Sequence, residues 1–100
     1  MNSKDKIYED VLRNEVDKFI LQPIETLMHL QDSGSINVIK NDISIGIGWF
    51  KYMINENGYH FVFKTFRRCF IFLHKPFLDG FKIIDGKIER LTGVELGEYD

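Results

Sequence analysis

The chain has 100 residues, a formal net charge of −2, 44 % hydrophobic residues and one cysteine. That length makes one domain, residues 1–100, with one core. The charge excludes a polycation built for nucleic acid and a polyacid that imitates it, and the lone Cys69 excludes both a disulfide framework and an all-thiolate metal site.

A single thiol favours a reducing compartment, and the opening MNSKDKIYED has no apolar leader-like run. The longest uncharged apolar stretch, ISIGIGWF at 43–50, is too short to span a bilayer. A cytoplasmic protein without a membrane segment is expected. The sequence has no Ala, so 43 of its 44 hydrophobic residues (all but Cys69) are large. A domain this small hides that many bulky side chains with difficulty, which points to a partner interface or a homodimer.

In chain order, residues 4–32 are helical. Ile7, Val11, Val16, Phe19, Ile20, Ile24, Leu27, Met28 and Leu30 recur at spacings of three and four. Ser3 is placed to cap the start, Gly34 to stop the end, and Pro23 to kink or break the helix. From residue 35 the period becomes two. Asn41-Asp42 marks a turn, after which Ile43, Ile45, Ile47 and Trp49 alternate with Ser44, Gly46 and Gly48 as a strand with one bulky and one bare face. Asn55-Glu56-Asn57-Gly58 reads as a four-residue hairpin loop.

The segment 59–75 is rich in aromatic and β-branched residues but too long for one strand without a turn. Two strands joined by a bulge or bend near Arg67-Arg68 are expected. Pro76 then ends the segment and Asp79-Gly80 turns it. Asp85-Gly86 reads as a two-residue hairpin turn, and Thr92 with Glu95 as a capping box opening a short C-terminal helix. The fold class is therefore α+β: an N-terminal helical region, kinked or broken at Pro23, packed on an antiparallel sheet of four to six strands, with a short C-terminal helix.

Candidate chemistry is sparse. His29, His60 and His74 lack zinc-motif spacing, Gly46-Ile47-Gly48 lacks the rest of a phosphate loop, and Cys69 with His74 makes a poor nucleophile–base pair. No constellation meets the requirements of an active site, so a non-enzyme without cofactor or metal is expected.

The notable feature is a window from Trp49 to Phe81 that holds eleven of the fourteen aromatic residues, and within it no acid occurs from Asn57 to Leu78. Alternation puts Tyr59, Phe61, Phe63, Cys69, Ile71 and Leu73 on one face as core. It puts His60, Lys64, Phe66, Arg68, Phe70 and Phe72, with His74, on the other. Rings beside cations anchor protein interfaces and also stack single-stranded bases. The first six residues of that second face are the candidate partner-binding set. The expected function is a small protein–protein interaction module of the inhibitor or immunity-protein type, which occludes a macromolecular partner. The alternative is a single-stranded nucleic-acid-binding module using the basic-aromatic face of residues 60–75.

Overall fold

A computed structural model describes residues 3–70 and 73–100. The elements are α1 (Ser3–Ile20), α2 (Ile24–Met28), β1 (Ser33–Lys40), β2 (Ile43–Asn55), β3 (Gly58–Phe70), β4 (Leu73–Ile84), β5 (Lys87–Arg90) and α3 (Gly93–Gly97). The strands form one antiparallel meander in sequence order. Three of them run 12 or 13 residues, so the molecule is drawn out to 42 × 24 × 22 Å. The α+β architecture matches expectation, including the helix break at Pro23.

Strand pairing explains the core. Trp49 lies opposite Phe63, Ile47 opposite Thr65, Phe61 opposite Phe81 and Tyr59 opposite Ile83, so these side chains share one face. The stripe Val11, Leu12 and Val16 of α1 and Leu27 of α2 seals that face. Phe19 meets both Trp49 and Phe63 edge-on, with ring centroids 5.7 and 4.8 Å apart, and Phe61 stacks on Phe81 at 4.7 Å. Each fully buried side chain of this size contributes roughly 1.5–3 kcal/mol. At the rim the Lys51 ammonium donates to the carbonyls of Met28 and Leu30, a cation where α2 ends.

Two turns form as read. Asn41 and Asp42 both have positive φ, as do Asp85 and Gly86, the left-handed pair that a two-residue hairpin requires. The Thr92–Glu95 capping box is complete.

Several boundaries differ. Ser3, expected as a cap, is already helical, and Gly34 sits in β1 rather than after a helix. A Cβ at Gly34 would come within 2.5 Å of the Trp49 indole, so the ring takes the space that glycine leaves. Asn55 pairs with Gly58, reducing the expected four-residue loop to Glu56-Asn57, with the register shift just before it, between Met53 and Asn55.

The segment 59–75 does divide into two strands, but not at Arg67-Arg68. β3 continues to Phe70 with a register shift between Arg68 and Phe70, and β4 begins at Leu73. Ile71 and Phe72 lie outside the described residues. Cys69 and Leu73, expected in the core, are exposed, Leu73 by 60 %, because they belong to the projecting end of the hairpin. β4 also runs straight through Pro76 and Asp79-Gly80 instead of ending and turning there. Gly80 lies opposite Val62, where a Cβ would fall 2.2 Å from the Phe61 carbonyl oxygen. It is glycine because two backbones approach closely.

That contact separates two glycines that look alike in the sequence. Gly80→Ala is expected to cost about 3 kcal/mol or more. Gly46→Ala, whose Cβ meets nothing within 4 Å, is expected to stay within about 0.5 kcal/mol of wild type or to stabilise. Urea unfolding of the two variants measures the difference.

Candidate functional site

The second face of the sheet has a covered end and an open end. At the covered end Leu91 lies over Gly80, next to Val62 in the register, and its N–H donates to the Gly80 carbonyl (3.0 Å). α3 is fastened beside it by Lys82, whose ammonium lies 2.8 Å from Glu95. Beyond α3, Tyr99 stacks on Tyr52 at 4.8 Å, and its hydroxyl lies 2.8 Å from His60 Nδ1. Its carbonyl accepts from the Lys64 ammonium at 3.0 Å.

Past Lys64 nothing in α3 covers the sheet. Phe66 stands 53 % exposed, with the Lys64 ammonium 5.9 Å from its ring centre. Arg68 is exposed and has no ion pair among the described residues, and His74 faces it across the β3–β4 ladder. On the neighbouring strand Phe50 and Tyr52 are about two-fifths exposed, and the Phe50 ring leans over Gly48. Gly46 is bare and adjoins Phe66, one position beyond the Ile47–Thr65 pair. The open end is thus a shallow sheet surface: Phe66 beside bare Gly46 and Phe50 over Gly48, with Arg68 at its edge and Tyr52, next to Phe50, marking where the Tyr99 cover begins.

The candidate set from the sequence separates. Phe66 and Arg68 stand together on the open end. Lys64 is the border residue, half-buried and held by Tyr99. His60 is buried beneath Tyr99 and does not join the surface. The Phe70 side chain and Phe72 lie outside the described residues. Sequence reasoning missed Phe50, Tyr52 and Tyr99. The first two had a signal, since Ser44, Gly46, Gly48, Phe50 and Tyr52 share one parity and the bare face simply continues into aromatic residues. Tyr99 had none, because its contacts are more than 30 residues distant in sequence.

Charge is partitioned in the same way. Of the four fixed cations in the acid-free window, Arg67 and Lys75 turn to the helix side. There both bind the buried carboxylate of Asp5, Lys75 at 2.6 Å. Lys75 above all, then Arg67, outweighs burial and holds the Asp5 carboxyl below its usual range. Arg90 likewise binds Asp17 and Asp79. The open face keeps Lys64 and Arg68. Among the described residues no group of three or more His, Cys, Asp or Glu side chains could hold a metal ion, and no helix is long and apolar enough to cross a membrane.

Comparison with protein-family models, curated proteins and solved structures finds no match to this chain.

The Tyr99 clasp should respond to acid. Burial is the main cause that holds the His60 pKa below its ordinary 6.5. The contribution of neutral His60 is therefore present above that value and lost as pH falls below it. Glu95 is held down to about 2 from 4.5, first by Lys82 and then by Thr92. Its contribution is present above 4.5 and lost as pH falls towards 2. Protection of the Leu96 and Tyr99 amides, taken as exchange relative to the intrinsic rate at each pH, is expected to fall in two steps on acidification. His60→Gln removes the first step and Glu95→Gln the second.

Proposed function

We propose that this protein is a small interaction module, acting in the cytoplasm, whose open sheet face docks on and occludes another protein, in the manner of an inhibitor or immunity protein. The observation that carries this reading is the joint exposure of Phe66 beside bare Gly46 and of Phe50 over Gly48, near Arg68, which has no ion pair among the described residues. Aromatic rings and arginine are the side chains that dominate interface energetics, and a glycine floor lets a partner side chain approach the sheet closely. Arg68 and Lys64, with no acid in the acid-free window to oppose them, suit a partner that offers an apolar anchor rimmed by carboxylates.

A single-stranded nucleic acid fits this face less well. Two of the window's four fixed cations are held by Asp5 on the helical side of the sheet, and a third already serves the Tyr99 carbonyl. Two phosphate contacts would give a log–log salt slope of only about −1.4 on a single strand. The free exposed thiol, Cys69, is consistent with a reducing compartment.

The test uses the chain as bait, with bound proteins read by quantitative mass spectrometry. At least one protein captured by wild type is expected to fall roughly tenfold or more with Phe66→Ala/Arg68→Glu. Gly46→Val, which fills the bare floor without touching the core, is expected to lose the same protein, whereas Arg13→Ala on the helical side retains it. An identical set of proteins from all four baits would contradict the reading. Tight binding of a fluorescent oligothymidine that weakens steeply with salt would favour the single-strand alternative instead.

A further inference from the structure

We propose that the free edge of β1 is a self-association surface, through which two copies of the chain pair antiparallel about a twofold axis at Ile36. This surface is separate from the open face, since it uses backbone groups at the sheet edge rather than rings on the sheet. Lys51 N–H donates to the Asp32 carbonyl (2.8 Å), and Ser33 lies opposite Phe50. In an antiparallel ladder alternate residues turn both backbone groups to the same neighbour. Asp32, Gly34, Ile36, Val38 and Lys40 are thereby committed to β2. Ser33, Ser35, Asn37 and Ile39 turn their N–H and C=O outward.

The other side of the sheet is protected and β1 is not. β5 reads Lys-Ile-Glu-Arg, with charge on three of its four residues. The stretch of β4 that β5 leaves uncovered contains Pro76, and beside it the Gly80 N–H is taken by the Asp79 side chain (2.8 Å). Proline, charge and self-capping are how sheet edges avoid further pairing. Residues 33–39 contain neither charge nor proline, and Ile39 is 73 % exposed.

A second copy is the occupant that fits. An acid, Asp32, precedes the strand and a base, Lys40, ends it. Both are exposed, and neither has an ion pair among the described residues. Run antiparallel with Ile36 opposite itself, the strand sets Asp32 opposite Lys40 of the second copy at both ends. In the same register Ser35 meets Asn37 and Ser33 meets Ile39, all four outward-turned, so every such pair is of the hydrogen-bonded kind. Ile36 and Val38, half-buried at the rim of the core, gain cover. A crevice of about 400 Å³ between α1 and β1, lined by Val11, Asn14, Glu15, Lys18, Val38 and Lys40, adjoins the incoming Asp32. Glu15 there is already paired with Lys18 at 3.0 Å. Such a closed twofold contact is the commonest way identical chains associate.

Light scattering on the eluting full chain tests this. The expected mass is twice the 11.8 kDa of the chain at high micromolar concentration. Asn37→Pro removes an outward N–H that the fold does not use, and should give a folded monomer by circular dichroism. Lys40→Glu opposes two acids at both ends and should weaken the dimer roughly tenfold. Adding Asp32→Lys should restore it, the signature of this register, and decides the matter even if Asn37→Pro fails to fold. Phe66→Ala should leave the mass unchanged. A monomer at every concentration would overturn the proposal. So would a dimer indifferent to folded Asn37→Pro, a charge reversal that does not rescue, or a dimer lost with Phe66→Ala.

Discussion

The alternation of β3 is the constraint from which the rest of the molecule follows. A strand offers its side chains to two faces in turn, and β3 lies in the middle of a five-stranded sheet. Its odd residues Phe61, Phe63 and Thr65 are therefore fully buried beneath α1, each with a buried or aromatic neighbour across the ladder. The even residues reach the far side, where residues 91–100 lie over part of the sheet. Ten residues reach His60, Val62 and part of Lys64, and there the cover ends. The open surface of Phe66 and Arg68, joined by Phe50 from the next strand, results from a sheet longer than the segment that shields it.

Charge follows the same division. The acid-free window looks uniformly basic in the sequence, yet the sheet sends Arg67 and Lys75 to the helical face and Lys64 and Arg68 to the other. Asp5 binds both members of the first pair at a distance of more than 60 residues in sequence, and so fastens the N-terminal turn of α1 to the far end of the β3–β4 hairpin. What remains on the open face is a modest positive charge among rings. That combination suits an apolar, acid-rimmed protein surface better than a polyanion, whose binding grows with the number of cations presented.

Much of this was legible before any coordinates. Local signals with a mechanism held: Asn41-Asp42 and Asp85-Gly86 as tight turns, the Thr92–Glu95 box, the alternation from Ile43 to Trp49, and the break at Pro23. Errors arose where one residue type serves two purposes. Gly34 makes room for an indole and Gly80 for a carbonyl, although glycine equally stops helices and makes turns. Pro76 occupies an edge stretch of a strand instead of ending it. Between β3 and β4 the sequence has no Gly, Pro, Asn or Asp, so nothing local marked where one strand gives way to the next, and the parity assigned to Cys69 on one side and Leu73 on the other failed. The Asp5 pairings and the Tyr99 clasp depend on tertiary proximity, and no window of sequence contains both partners.

The central claim is that the aromatic window is divided between core and open surface by strand parity. Paramagnetic broadening of ring-proton resonances by a soluble, neutral probe tests it most directly. Phe50, Tyr52 and Phe66 should broaden strongly while Phe61, Phe63 and Phe81 remain sharp. If Phe66 is as protected as Phe61 in the isolated chain, the surface is packing rather than recognition, and the account is wrong.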